Sequence, residues 1–178
     1  MPTPSGAPRV LVKGELLEVS LSLAHCGDRG LAGLADPTRE GRIGVDIERV
    51  RPVHPRLAER LLRPEERKLL EELSPQGGDD PCTLVLAWTL KEAAYKALRP
   101  ALPSEVSLPL RALRLRIRDR GRGGSAPDGV SVVYAPEEGR EIALPAEAER
   151  VGDFWLAWAL LPPAFSPPPP PPPPPKGP

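Results

Sequence analysis

Two acidic side chains alternate along a short apolar segment of the chain. Asp46 and Glu48 belong to the sequence GVDIE, residues 44–48. In a strand they would share one face, while Val45 and Ile47 would point to the other. A pair of neighbouring carboxylates suits Mg²⁺, which binds a few carboxylates and completes its coordination with water and phosphate oxygens. An ordinary solvated strand face carries the same pattern, so the motif alone leaves both interpretations open.

A second polar group recurs at helical spacing in the sequence WTLKEAAYKA, residues 88–97. Trp88, Glu92 and Lys96 are one turn apart and would face the same way, so the simplest interpretation is a surface ion pair between Glu92 and Lys96. That interpretation gives no reason for the indole. Trp88 beside a carboxylate and an ammonium group could wall a phosphate-handling site, and Lys91, about 100° around the helix from Glu92, would flank it.

The elements that must position these groups follow from periodicity. Alternating or short apolar runs predict strands at residues 18–24, 31–35, 43–47, 108–117, 130–134, 141–144 and 153–161, the first three as a meander. Helical spacing predicts one helix after Pro55, a second over residues 64–73 and the strongest over residues 83–98. The predicted fold class is therefore α+β, with an antiparallel sheet packed against a few helices.

Composition excludes several classes of protein. The 178 residues carry 24 basic and 24 acidic side chains, so the basic excess expected of a nucleic-acid-binding protein is absent. Cys26 and Cys82 have no metal-like spacing, which favours two free thiols. The first residues lack the apolar run of a signal peptide and no stretch approaches a membrane span, so a cytoplasmic location without a membrane partner is expected.

Composition also predicts how the chain is divided. Residues 1–15 are expected to be a flexible N-terminus, residues 16–162 a single domain, and residues 163–178 a disordered tail. The tail contains unbroken proline from 167 to 175, which favours a polyproline II rod. Such a rod is a ligand for an aromatic-grooved adaptor or a simple spacer, and composition leaves these alternatives open.

The two motifs above and a third, earlier in the chain, occur in a recognisable order. The sequence SLSLAHCGD at residues 20–28, GVDIE at residues 44–48, and Trp88-x-x-Lys91-Glu92-Ala93-x-x-Lys96-Ala97 together resemble the signature of the phosphopantetheinyl transferase superfamily. The form is similar to the subgroup that activates peptide and polyketide synthases. Ala24 and Cys26 stand where that subgroup usually has serine beside the histidine. Its members have two similar halves, and residues 18–161 correspond to the second half and the last strands of the first.

The resemblance implies a function and a set of roles. The enzyme would transfer 4′-phosphopantetheine from coenzyme A to a serine of an apo acyl or peptidyl carrier protein, releasing adenosine 3′,5′-bisphosphate. Mg²⁺ would be bound by three carboxylates, and the remaining motif residues would contact coenzyme A. These residues are Asp46, Glu48 and Glu92 for the metal, Lys96 and His25 for phosphate, and Trp88 and Lys91 for the pantetheine and phosphate region.

The proton of the acceptor serine would pass to Glu92 or to a metal-bound water. Glu92 and Lys96 would thus be the catalytic pair. For His25 the competing interpretation is a histidine in a turn after a strand. Two further hypotheses remain open for the chain: a degenerate relative that binds coenzyme A or a carrier protein without catalysis, and an adaptor built around the proline-rich tail. Because the second half of a two-halved relative covers an apolar face with the first, we expect a homo-oligomer with shared sites.

Overall fold

The computed structural model of the chain describes residues 8–54, 56–73, 80–117, 130–135 and 141–165. Its strands are β1 (Val10–Val12), β2 (Glu15–Leu17), β3 (Ser20–Cys26), β4 (Arg29–Ala35), β5 (Arg42–Arg49), β6 (Leu113–Ile117), β7 (Val130–Tyr134), β8 (Ile142–Val151) and β9 (Phe154–Leu161). Its α-helices are α1 (Arg56–Leu61), α2 (Pro64–Leu73) and α3 (Pro81–Leu98). The predicted α+β class, an antiparallel sheet packed against a few helices, is confirmed.

The main sheet has five strands in the order β5-β9-β8-β7-β6, all antiparallel. β5 is an edge strand whose register places Asp46 opposite Ala157 and Glu48 opposite Trp155. The last three strands, β7, β8 and β9, follow one another along the chain, and β9 closes the sheet against the much earlier β5. The strand that carries Asp46 and Glu48 is thus held in place by β9, the last strand in the sequence.

Helix α3 is the centre of the fold. Asp80 caps it, because its carboxylate accepts hydrogen bonds from the Thr83 amide and hydroxyl at 3.3 Å, and Pro81 occupies the first turn, where no amide hydrogen is needed. The helix therefore begins two residues before the start predicted from periodicity. Its residues are buried nearly all round rather than along one stripe, since it packs on β5 and β9 on one side and on the helices and β6 on the other.

The predicted three-stranded meander is wrong. β3 and β4 form an antiparallel hairpin, but β5 pairs with β9 instead of β4. Side chains make the link that a third ladder would have made: the Ser20 hydroxyl accepts the Ile43 amide and the Ser22 hydroxyl accepts the Val45 amide, both at 3.0 Å. These bonds satisfy donors at the open edge of β5, and the hairpin packs there without joining the sheet.

Three other segments differ from the sequence-based expectation. Residues 110–112 form a 3₁₀ turn after Pro109, so the strand predicted over 108–117 begins only at Leu113. β8 is ten residues long and continues past Pro145, where the periodicity had ended a short strand at residue 144. The hairpin β1–β2 begins inside the segment expected to be flexible, residues 1–15.

Other expectations fall partly beyond the described residues. Residues 1–7, 118–129 and 166–178 lie outside them, and the last of these ranges holds most of the proline-rich tail. Phe165, within the segment 163–178 expected to be disordered, packs against the core. In the parts of the chain that the structure describes, no helix is long and apolar enough to cross a membrane.

Candidate functional site

The acidic motif of β5 and the polar motif of α3 meet because Gly44, the first residue of the acidic motif, has no side chain. A Cβ atom at Gly44 would overlap the Ala93 carbonyl oxygen and the Ala97 amide nitrogen of α3. Glycine at position 44 and alanines at 93 and 97 therefore allow strand and helix backbones to touch. This contact brings the even-numbered side chains of β5 against the face of α3 that carries Glu92 and Lys96.

Asp46 is the most buried member of the resulting cluster, with 6% of its surface exposed. Its Oδ1 atom accepts a hydrogen bond from Lys96 Nζ at 2.7 Å, within an ion pair that joins strand and helix. Its Oδ2 atom is buried and has no partner among the described residues. Lys96 thus pairs with Asp46. The simplest interpretation of the sequence had been a surface pair between Glu92 and Lys96.

Glu48 and Glu92 complete a group of mutually repelling carboxylates. Burial raises the pKa of Glu92, the Asp46 carboxylate raises it further, and Lys96 and the Trp88 indole act in the opposite direction. Burial also raises the pKa of Glu48, again reinforced by Asp46, while Arg51 and the Cys26 thiol oppose it. Asp46 itself has a raised pKa because burial outweighs the stabilisation by Lys96. The structure thus brings Asp46, Glu48, Glu92 and Lys96 together in one electrostatic unit.

The donor set of this unit fits Mg²⁺. Three carboxylates are the hard oxygen ligands that the ion prefers, and the unpartnered Asp46 Oδ2 is a buried acceptor that a cation would satisfy. In the described residues, however, no three His, Cys, Asp or Glu side chains are close enough to form a ready-made metal cage. The usual arrangement for this ion is a few carboxylates supplemented by water and substrate oxygens, so the chemistry of the donors is compatible with it.

Trp88 lies one turn before Glu92 on α3 and packs, partly buried, against the core. Its indole lowers the pKa of Glu92, which indicates that the ring and the carboxylate are neighbours. The sequence-based grouping of Trp88, Glu92 and Lys96 on one side of the helix agrees with these environments.

Lys91 is not part of this cluster. Its side chain has no exposed surface, and its Nζ atom donates to Glu66 Oε2 at 2.9 Å and to the Leu61 carbonyl oxygen at 2.6 Å. Burial lowers the pKa of Lys91, and Glu66 acts against that shift. The prediction that Lys91 lines the pantetheine and phosphate region therefore finds no support in this arrangement, in which a ligand cannot reach the ammonium group.

His25 is also separate from the cluster. On β3 the side chains of Ser20 and Ser22 face β5, and Cys26 continues this face, with Sγ 3.8 Å from Glu48 Oε2. His25 therefore belongs to the opposite, outer face of the hairpin with Leu23, and its side chain is exposed. The role of His25 in phosphate binding stays a prediction. In this structure the His25 side chain does not lie among the carboxylates.

Sequence reasoning missed the structural partners of the site. Glu66 had a detectable signal: it is the third residue of α2, and its carboxylate accepts the Arg63 amide at 2.8 Å, as in a capping box. Its pairing with Lys91, 25 positions away, had no local signal. The roles of Gly44 and of the two serines of β3 in packing also depend on contacts between distant elements.

Comparison with known proteins agrees with this geometry. No curated protein matches the chain. A family model, that of the 4′-phosphopantetheinyl transferase superfamily, matches residues 42–127, which include β5 with Asp46 and Glu48 and α3 with Glu92 and Lys96. The hairpin that carries His25 precedes the matched segment. The acidic strand and the central helix both lie inside the match, so over residues 42–127 the chain is similar to the 4′-phosphopantetheinyl transferase superfamily.

Proposed function

We propose that this protein transfers 4′-phosphopantetheine from coenzyme A to a serine hydroxyl of an apo acyl or peptidyl carrier protein. The observation that carries the proposal is the joining of Asp46, Glu48, Glu92 and Lys96 across the β5–α3 contact. The match to the superfamily over residues 42–127 suggests the class of reaction, and the cluster supports an active enzyme of that class.

Asp46, Glu48 and Glu92 would hold Mg²⁺, which when bound neutralises charge on the pyrophosphate of coenzyme A. Lys96, already oriented by Asp46 at 2.7 Å, would donate to a phosphate oxygen of the group that is transferred. Trp88 would cover the site beside Glu92 and exclude water from it. These roles supply positioning and charge neutralisation, the main requirements of phosphoryl transfer.

The proton of the attacking serine must leave as the new bond forms. The serine oxygen bonds to the β-phosphorus, and the bond from that phosphorus to the departing adenosine 3′,5′-bisphosphate breaks. Glu92 would accept the serine proton, since its carboxylate lies in the cluster beside Asp46 and Lys96. The leaving phosphate group carries away the electron pair of the broken bond.

A second candidate function is binding of coenzyme A or of a carrier protein without turnover. It is favoured by the absence, among the described residues, of a ready-made three-ligand metal group. It is also favoured by the position of His25 on the outer face of the β3–β4 hairpin. The cluster described above favours catalysis, because a protein that only binds has no need of buried, mutually repelling carboxylates.

One experiment separates the two functions. The full-length protein is incubated with Mg²⁺, coenzyme A and an apo carrier domain, and the carrier is weighed by mass spectrometry. We expect a gain equal to one phosphopantetheine group that disappears with EDTA, without coenzyme A, or when the acceptor serine is replaced by alanine. An unmodified carrier, with binding of coenzyme A or of the carrier detected by calorimetry, would support the binding function instead.

We also propose that the protein works as a homo-oligomer with shared sites. Leu23 and Leu34 on the outer face of the β3–β4 hairpin are 54% and 63% exposed, which favours coverage of that face by another subunit. His25 lies on the same face, so a second subunit there would cover the leucines and lie beside His25.

Sedimentation at micromolar protein tests the assembly, with and without coenzyme A and Mg²⁺. A monomer of 19.2 kDa under all conditions would contradict shared sites. Mixing the inactive variants Glu92→Ala and His25→Ala adds a functional test, since a site built from both chains would regain some activity if the two residues come from different subunits.

A further inference from the structure

The side chain next to Glu92 on α3 is a buried lysine that makes only internal contacts. Lys91 Nζ donates to Glu66 Oε2 at 2.9 Å and to the Leu61 carbonyl at the end of α1 at 2.6 Å. Lys91 has no exposed side-chain surface and Glu66 has 3%. Burying two charges so completely costs free energy of desolvation, so the stability of the fold alone does not explain this ion pair.

Glu66 connects this lysine to two further elements. Its Oε2 atom also accepts the Arg63 amide before α2 at 2.8 Å, and its Oε1 atom accepts the Leu115 amide of β6 at 2.7 Å. The carboxylate therefore uses both oxygens, and the ammonium group is bound at two points. Together they tie α3 to the α1–α2 corner and to the far edge of the sheet.

The link acts on the rotation of α3 about its axis. Gly44 fixes how closely the helix approaches β5. Lys91 follows Leu90 and precedes Glu92, so anchoring its side chain on one side of the helix sets the direction of Glu92 and of Lys96, one turn later, on another side. Lys96 must meet Asp46 at 2.7 Å for the cluster to form.

We propose that Lys91 and Glu66 are positioning residues: their buried ion pair sets the rotation of α3 that holds Glu92 and Lys96 against Asp46. The inference rests on the proposed transferase activity and revises the sequence-based role of Lys91 as a contact to coenzyme A. Neither Lys91 nor Glu66 touches the substrate, and the pair acts only through the helix.

The test compares Lys91→Met with the double variant Lys91→Met/Glu66→Gln in carrier modification, measuring kcat and KM for coenzyme A. The single change leaves the Glu66 carboxylate buried without its cation, and we expect kcat to fall at least about tenfold with KM little changed. In the double variant no charge is left buried, but the bond between α3 and residue 66 is still missing, so kcat should stay about as low as in the single variant. Lys68→Met and Glu65→Gln, exposed positions on α2, are the matched controls.

Three outcomes would overturn the proposal. One is a raised KM for coenzyme A as the main effect of Lys91→Met. That result indicates contact with substrate. Another is a folded double variant with wild-type kcat, because the unpaired carboxylate and not the lost link would then explain the loss in the single variant. The third is wild-type kcat in Lys91→Met, because then the pair positions nothing. If Lys91→Met does not fold, the double variant decides alone by the same criteria.

An inactive wild-type protein would speak against the proposed function and not against the ion pair. In that case amide hydrogen exchange carries the test in the same variants. We expect faster exchange along α3 around Glu92 and Lys96 in both variants, since both lack the link to residue 66. Equal protection in the single variant and the wild type would contradict the positioning role.

Discussion

Lys96 on α3 and Asp46 on β5 form an ion pair across 50 positions of the chain, with Nζ 2.7 Å from Oδ1. The second oxygen of the same aspartate is buried and has no partner in the described residues. One side chain thus has one oxygen committed to a lysine and one oxygen open to a ligand. This asymmetry is the feature from which the proposed metal and phosphate roles follow.

The first prediction separates those two roles by substitution. Asp46→Asn removes the charge that would hold the cation and should lower kcat/KM by about a hundredfold or more at saturating Mg²⁺. Lys96→Ala removes one phosphate contact and should cost less, about tenfold. Asp153→Asn, at an exposed aspartate in the β8–β9 turn, is the control. Near-wild-type transfer by Asp46→Asn would show that β5 does not carry the metal site.

The second prediction concerns the close approach of β5 and α3. Gly44→Ala puts a methyl group onto the backbone of Ala93 and Ala97, where no flexible side chain can yield, and should reduce the free energy of unfolding by about 3 kcal/mol or more. Gly30→Ala, whose new Cβ would meet its nearest neighbour, the Ala24 carbonyl oxygen, at 3.9 Å, should be tolerated. Urea unfolding followed by circular dichroism compares the two. Equal stability of both variants would mean that the strand–helix contact is looser than described.

The third prediction uses the serines that join the β3–β4 hairpin to β5. Ser22→Ala leaves the buried Val45 amide without its acceptor and should cost about 1–3 kcal/mol in unfolding free energy. Ser104→Ala, at an exposed loop position, should cost little. Ser20 and Ile43 are 23 positions apart, and so are Ser22 and Val45. The same spacing would pair Ala24 with Ile47, so Ala24→Ser should add a hydrogen bond and raise stability. No change for Ser22→Ala would argue against this docking.

The fourth prediction follows from the raised pKa of Glu92. A carboxyl group with a higher pKa in the folded than in the unfolded chain binds protons more tightly when folded, so its contribution destabilises the fold as pH rises from about 4 through the raised pKa. Glu92→Gln should therefore raise the thermal midpoint at pH 7, and the gain should shrink as pH falls. Thermal unfolding from pH 5 to 8 measures this, with Glu65→Gln as the exposed control. A gain that is the same at every pH would exclude charge repulsion as the cause.

The sequence was sufficient to predict α3 and the strands of the sheet because their apolar periodicity is strong. Strand alternation grouped Asp46 with Glu48 and helical turns grouped Glu92 with Lys96. The joining of the two pairs in one site was implied only by the resemblance to the transferase superfamily. The sequence could not predict that Lys96 would pair with Asp46 and not with Glu92, because that choice depends on the glycine-mediated contact between distant elements.

Lys91 and His25 mark the limit of reasoning from local pattern. A lysine in a helix is normally solvated, and only the tertiary neighbour Glu66 makes its complete burial tolerable. His25 lies in β3, whose serine face was recognisable, but that this face packs on β5 depends on Gly33, which leaves room for Ile43 and Val45. That β5 does not pair with β4 had no signal in the hydrophobic pattern.

The most direct measurement of the central claim is the single-turnover rate of carrier modification by Glu92→Gln, at saturating coenzyme A and Mg²⁺ and with the carrier weighed by mass spectrometry. Glutamine keeps the size of the side chain but can neither accept the serine proton nor supply a charged ligand. We predict a rate lowered by about a hundredfold or more in a fully folded protein, with the rate of Glu65→Gln unchanged. A Glu92→Gln rate within about threefold of the wild type would contradict the assignment of catalysis to the cluster of Asp46, Glu48, Glu92 and Lys96.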